Sequence, residues 1–370
     1  MNKYYTRACN FYYGATSKNL IKKKLTLPLC GNENISFDKV EIFIRKKNKI
    51  SSKILNIQEI KLQNLSLKKK ILKDIKKIST KRKYFNQTTL MGILNMTPDS
   101  FSDGGKFNKK NKALKQIKLM IKNGADIIDI GGESTRPGSI TVNSFNEWKR
   151  IANIVRNFKK KFSTTVLSID TRKSAVMKKA MDYKTDIIND VSSFNYDKKT
   201  IEVIGDRNVF KIIHHMQGTP KTMQIKPKYK NVLLDIYDFF EDKINNQLKG
   251  KKYKNKIILD PGIGFGKNLK HNLMLMNKIS LFHSLGFPIL IGTSRKRFIS
   301  QISGKFDTNE RLGGTLSSVL STLSQGVQIF RVHNVGEVKQ GILVYKKLLN
   351  QWKKNISEPM EYEELLIKVI

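Results

Sequence analysis

Eight short apolar runs in this chain stop at, or beside, a residue able to do chemistry. LMGILNM holds Asn95, ADIIDIGG leads to Glu133, TVLSID ends on Asp170, and DIIND ends on Asn189 and Asp190. FKIIHH ends on His214 and His215, KIILDPG holds Asp260, PILIGTS ends on Ser294 and VQIFRVH on His333. Carboxylates and amide oxygens accept from N–H groups, while Lys and Arg donate to carbonyl or phosphate oxygens. Taken singly, a charged residue after an apolar run marks a solvated loop start. Gathered on one rim, such groups at the mouth of a dry core are costly unless they bind something. No Ser or Cys is paired in an obvious way with an activating base. The chemistry indicated is therefore recognition and electrostatic stabilisation.

The runs recur from residue 90 to residue 351, with amphipathic stretches between them such as 109–123 and 231–248. Alternating strand and helix implies a parallel sheet. Eight such units in roughly 260 residues match a closed (β/α)8 barrel, whose chemistry sits in the loops after the strands. The expected fold is α/β: a TIM barrel over residues 89–370 behind a small basic N-terminal extension, residues 1–88. An open doubly wound sheet would leave the eighth unit and the polar strand ends unexplained. Two of the loops, TPDSFSDGG (97–105) and ESTRPGS (133–139), hold Gly and Pro in a pattern that permits an open and a closed form.

Residues 91–105, MGILNMTPDSFSDGG, and 125–139, ADIIDIGGESTRPGS, are similar to the two signature segments of the dihydropteroate synthase family. The resemblance runs from residue 90 to about 345. It implies condensation of 6-hydroxymethyl-7,8-dihydropterin diphosphate with p-aminobenzoate, giving 7,8-dihydropteroate and diphosphate. Carried over by motif, Asp170, Asn189, Asp260 and Lys296 hold the pterin. Asn95, Arg331 and His333 hold the diphosphate, with Asn95 as the metal residue that helps place Mg²⁺. A hard divalent ion held mainly by phosphate oxygens is the ordinary mode for magnesium. Phe101, Thr135, Arg136, Pro137 and Phe265 form the p-aminobenzoate pocket, which sulfonamides also occupy in the family. Asp103, Arg136 and Lys296 are the expected catalytic residues; Asp103 favours a pterin cation formed as diphosphate leaves, or orients the amine. The family is commonly homodimeric. Two departures stand out: His214 replaces an apolar pterin contact of the family pattern, and Arg297 follows Lys296 where some relatives place a Ser.

Residues 1–88 carry 22 Lys or Arg against 5 Asp or Glu, with a strand-like FDKVEIFIRK and a helix-like stretch at 65–78. A small β/α appendage is expected there. The absence of acidic residues before Glu33 fits a transit peptide, but the start is Lys-rich rather than rich in Arg and Ser. No apolar run reaches the ~18 residues of a membrane span. Cys9 and Cys30 alone make neither a disulfide framework nor a metal site, so a reducing, cytoplasmic setting is expected. The net charge of +40 raises nucleic-acid binding as a rival. The excess is spread along the chain and no nucleic-acid motif accompanies it, so only non-specific adhesion at low salt is expected. A pterin-dependent methyltransferase acting on a corrinoid is the rival within the barrel. It would use the pterin Asp and Asn, but has no use for STRPG or Lys296.

Overall fold

Aromatic and β-branched residues dominate the first strand, β1 (Lys3–Tyr13), and it pairs antiparallel with the long β3 (Asn32–Lys46). The computed structural model describes residues 2–47, 49–97, 106–134, 138–304 and 307–356. The short β2 (Leu27–Leu29) and the β4 strand (Lys49–Asn56) both pair with β3, completing a four-stranded sheet. The acid-free start of the chain is thus a strand whose Tyr5 and Ala8 are fully buried. Helix α1 (Gly14–Lys22) follows β1, and α2 (Leu65–Ser79) covers the sheet. In α2, Leu67, Ile71, Ile75 and Ile78 recur at helical spacing and pack on Phe37, Val40 and Ile42. Asn64 caps this helix by accepting from the Leu67 amide at 3.0 Å.

The eight apolar runs form eight parallel strands: β5 (Thr89–Asn95), β6 (Ile127–Gly131), β7 (Val166–Asp170), β8 (Ile187–Asp190), β9 (Phe210–His214), β10 (Ile257–Asp260), β11 (Leu290–Ile291) and β12 (Ile329–Val332). Strands covered on both faces read as continuous apolar runs rather than as alternation, which is why these are so legible. Their order is β10-β9-β8-β7-β6-β5-β12-β11, and one parallel bridge from Leu259 to Ile289 closes the ring. The expected (β/α)8 barrel is the observed fold. Its lower interior layer is Met91, Ile127, Ile187, Ile212, Ile258, Leu290 and Ile329. Phe85, edge-on to Phe210 at 5.0 Å, packs against that layer.

Helices α3 (Lys106–Lys122), α4 (Ser144–Lys161), α5 (Ser174–Met181), α6 (Thr200–Ile204), α7 (Val232–Asp242), α8 (Leu269–Asn277), α9 (Arg297–Ser303), α10 (Leu312–Leu323) and α11 (Val335–Ile356) supply the connections and the outer layer. The helix read over 231–248 ends earlier, at Asp242, and continues as a π turn over Lys243–Gln247. There the buried Lys243 ammonium turns inward to the Ser193 carbonyl and the Asn195 side chain.

The N-terminal sheet docks on α7 and on the 3-10 turn Ile279–Leu285, which feeds β11. Arg45 forks onto Asp235 and Asp238 at 2.6 and 2.8 Å, and Lys3 reaches Asp238 and Glu241. Glu41 is held by Arg7 and Lys278, each at 2.7 Å. Ser280 donates to the Ala8 carbonyl, and Arg82 to that of His283. Cys30 and Cys9 are both buried free thiols; Cys30 lies 3.4 Å from His283 Nδ1. The Ser280, Arg82 and Cys30 contacts fall on the segment that leads into β11, where the chain enters that strand.

Candidate active site

Strand register brings the polar exits together. Asp170 of β7 stands beside Asn189 of β8, and Asp260 of β10 beside His214 of β9. Arg331, from β12, reaches across the mouth: its Nη2 donates to Asp170 Oδ2 at 2.8 Å and its Nε to Asp129 Oδ2 at 2.7 Å. Asp129 is fully buried within β6 and also accepts from Ser168 Oγ at 2.5 Å and Asn189 Nδ2 at 3.0 Å. Because the Asn189 amide nitrogen is committed to Asp129, its oxygen is the atom left to face a ligand. Burial raises the pKa of Asp170, the Arg331 cation opposes that rise, and repulsion from Asp129 adds to it. Burial also works against the Arg331 charge, yet Asp129 and Asp170 together raise its pKa.

Asp260 is pushed up to about 6 by burial, although the Gly262 amide donates to its Oδ1 at 2.8 Å. His214 is held neutral because burial, and then the nearby lysines, lower its pKa well below the usual imidazole value. Its Nδ1 lies 3.1 Å from the Val191 carbonyl and therefore carries the proton; Nε2 faces Asp260 Oδ2 at 4.0 Å as an acceptor. The polar replacement at His214 is thus a second acceptor beside Asp260.

Phe265 meets the His214 ring edge-on at 4.5 Å, and the Lys296 ammonium stands 4.0 Å over the Phe265 ring. Burial, then the Arg331 charge, lowers Lys296 to about 8, with Asp260 opposing. The loop carrying Phe265 needs its glycines. Gly262 and Gly266 both have positive φ, and a Cβ on either would lie 2.0 Å from the His215 carbonyl oxygen or 2.5 Å from that of Gln217. Lys267, almost wholly buried, ties the same loop to His215 Nδ1 at 3.0 Å and to the Phe265 carbonyl at 2.9 Å.

At the β12 exit, the His333 amide donates to Ser294 Oγ at 3.2 Å and the hydroxyl returns its proton to His333 Nδ1 at 2.9 Å. With the hydroxyl as donor, the His333 proton sits on Nε2, a donor suited to a phosphate oxygen. Asn95 ends β5, half-buried, and its side chain makes no hydrogen bond to a described residue. Two strand endings serve the loops instead. Glu133 pairs with Arg172 and Lys173, each at 2.9 Å, and accepts from the Val142 amide. Asp190 accepts from the Ser192 and Phe194 amides and so shapes its own turn. Arg297 opens α9 and is exposed. Phe101, Asp103, Thr135, Arg136 and Pro137 lie outside the described residues.

Asp129 was not among the candidates read from the sequence. Its one signal was an acid in the middle of an otherwise apolar barrel strand, a position normally filled by branched side chains.

The profile of the pterin binding enzymes matches residues 91–333. The dihydropteroate synthase of Escherichia coli (strain K12) is 40% identical over 261 residues, which are 70% of this chain and 92% of that protein. The chain belongs to the dihydropteroate synthase family. Solved members superpose on it. The Yersinia pestis dihydropteroate synthase with a sulfonamide drug does so with a TM-score of 0.67 at 38% identity, covering 71% of this chain and 95% of that one. The Xanthomonas albilineans dihydropteroate synthase in complex with 7,8-dihydropteroate gives 0.64 at 29% identity, covering 71% and 94%. The family match begins at Met91, so the four-stranded sheet and its two helices precede it.

Proposed function

We propose that the protein condenses 6-hydroxymethyl-7,8-dihydropterin diphosphate with p-aminobenzoate, giving 7,8-dihydropteroate and diphosphate. The observation that carries this reading is the convergence of three acceptors, Asp170, Asn189 Oδ1 and Asp260, with a lysine and an aromatic wall in one barrel mouth. Three acceptors suit the amidine-like N–H edge of a pterin, Lys296 suits its carbonyl and ring nitrogen, and Phe265 walls the flat ring system. Arg331 and the Nε2 proton of His333 supply donors for the diphosphate.

In the reaction, a C–N bond forms between the aryl amine and the pterin methylene carbon, the C–O bond to diphosphate breaks, and the amine loses a proton. An aryl amine is nucleophilic enough without an activating base. The barrier lies in the departing negative charge, which positioned cations lower electrostatically. Among the described residues no three His, Cys, Asp or Glu form a metal cage. Asn95 offers a single neutral oxygen, which fits Mg²⁺ retained mainly by the substrate's phosphates and water. When bound, that ion would add positive charge at the leaving oxygens. Asp103 and Arg136, with Phe101, Thr135 and Pro137, are assigned to the p-aminobenzoate side through the family resemblance. The same resemblance supports a homodimer, and two buried free cysteines fit a cytoplasmic setting; residues 1–88 form an appended unit braced against the barrel.

Diphosphate release from the pterin diphosphate, measured with and without p-aminobenzoate and with and without Mg²⁺, tests the reading. Dihydropteroate formed in step with diphosphate is the expected result. Tight pterin binding without product under any metal condition would overturn it and favour methyl transfer.

A further inference from the structure

We infer that Asp129 is a positioning residue, one buried carboxylate that sets the Arg331 guanidinium and the Asn189 amide in their working orientations together. The inference rests on the roles given above to Arg331 and Asn189. Asp129 lies below the rim, fully buried, and touches the ligand-facing groups from behind. Its Oδ2 accepts from both Arg331 Nε and Asn189 Nδ2, while its Oδ1 is occupied by Ser168 Oγ. With three donors on two oxygens, the carboxylate has little freedom to rotate.

Two consequences follow for the ligand-facing atoms. Arg331 is divided between two acids, giving Nε to Asp129 and only Nη2 to Asp170. Without Asp129, the guanidinium fork would close on Asp170 in the bidentate geometry it prefers and would occupy the acceptor that a pterin needs. Asn189 would likewise be free to flip. Its NH₂ would then face the N–H edge of the pterin, donor against donor. Asp129 therefore keeps one acid open and one amide correctly turned, while leaving Arg331 Nη1, which donates to no described residue, for the leaving group.

The test is a double-mutant cycle in the full-length protein, reading kcat/KM for pterin diphosphate together with Tm. Asp129→Asn keeps the shape and is expected to lower kcat/KM by about thirtyfold or more. In a background already carrying Arg331→Ala and Asn189→Ala, the same change should cost less than about threefold, because the groups it positions are gone. Equal losses in both backgrounds would mean that Asp129 serves the barrel generally, and would overturn the inference while leaving the site reading intact. If Arg331→Ala and Asn189→Ala themselves leave turnover unchanged, the site reading fails instead. Should Asp129→Asn not fold, Ser168→Ala removes only the third bond to the same carboxylate. A several-fold fall in kcat/KM at unchanged Tm, absent in the double-variant background, supports positioning, and no fall in either background overturns it.

Discussion

The seam between the N-terminal sheet and the barrel, and the mouth at the strand exits, both bury charge, but they treat it in opposite ways. At the seam, burial works against Glu41, yet Lys278 and Arg7 more than compensate and hold its pKa below the ordinary carboxylate value. At the mouth, burial dominates: Asp260 rises to about 6 and Lys296 falls to about 8. Seam charges are consumed by one another, as are Arg331 and Asp129 at the mouth, whereas Asp260 and Lys296 are held in a state that a ligand would relieve. This difference separates a docking interface from a binding site when both are rich in Lys and Asp.

The strongest test of that contrast lies at the mouth. Asp260→Asn and Lys296→Ala should each lower kcat/KM by roughly thirtyfold or more, about 2 to 5 kcal/mol of lost transition-state binding. Their Tm should hold or rise, because the native state keeps these groups in their disfavoured charged forms. If both variants fold and lose less than about threefold in turnover, the pocket has been drawn around the wrong residues. At the seam the pattern should invert. Glu41→Gln should cost about 1 to 3 kcal/mol in denaturant unfolding, below the cost of a fully buried pair because Lys278 stays partly exposed. Turnover per folded molecule should stay unchanged; a matching loss of activity would show that the two regions are not separable.

Acid should strike the two regions in different windows. A pterin N–H edge needs the Asp260 carboxylate, so affinity should fall as pH drops through about 6. Glu41 has a lowered folded pKa, so the stability it gives is present above its ordinary value and is lost only as pH falls through the depressed one. Pterin affinity and Tm followed together from pH 8 to pH 4 should therefore part company near 6. Their parallel decline would refute the separation. The smallest effect is expected from His214→Met, which removes the acceptor 4.0 Å from Asp260. Turnover at neutral pH should change by less than about threefold, and the acid limit of pterin binding should move to lower pH. An unmoved limit would mean that His214 is a wall and nothing more.

The sequence made the mouth legible wherever a polar residue closes an apolar run. Asp170, Asp260 and His333 all announce themselves in this way, whereas Asn189, Arg331 and Lys296 were singled out by the family resemblance. Glu133 and Asp190 announce themselves identically, yet they anchor loops; only the fold reveals that Arg172 and Lys173 have claimed Glu133. Asp129 stayed hidden for the converse reason. It interrupts a run rather than ending one, and its partner Arg331 lies 202 residues away. In the N-terminal part, β3 and α2 were visible from alternation and helical spacing. Strand β1 was not, because its identity depends on pairing with β3 across an intervening helix. The two-residue β11 is the weakest strand signal of the barrel, since Pro288 stands just before it and Gly292 just after.

That short strand has a mechanical meaning. Asp260 ends β10 and Lys296 follows β11, so the two stand on either side of the joint that a single bridge closes. A barrel opens most readily at the stave with the fewest rungs. Breathing there would draw the acid and the lysine apart. The buried turn Ile279–Leu285, which leads into that stave, is gripped by Ala8 and Arg7 of the N-terminal sheet and by Arg82 just after α2. The extension is placed where a hoop would sit on the cask. Its trace should be read in amide hydrogen exchange at Leu259 and Ile291, which slows as the hoop holds and quickens when it is loosened.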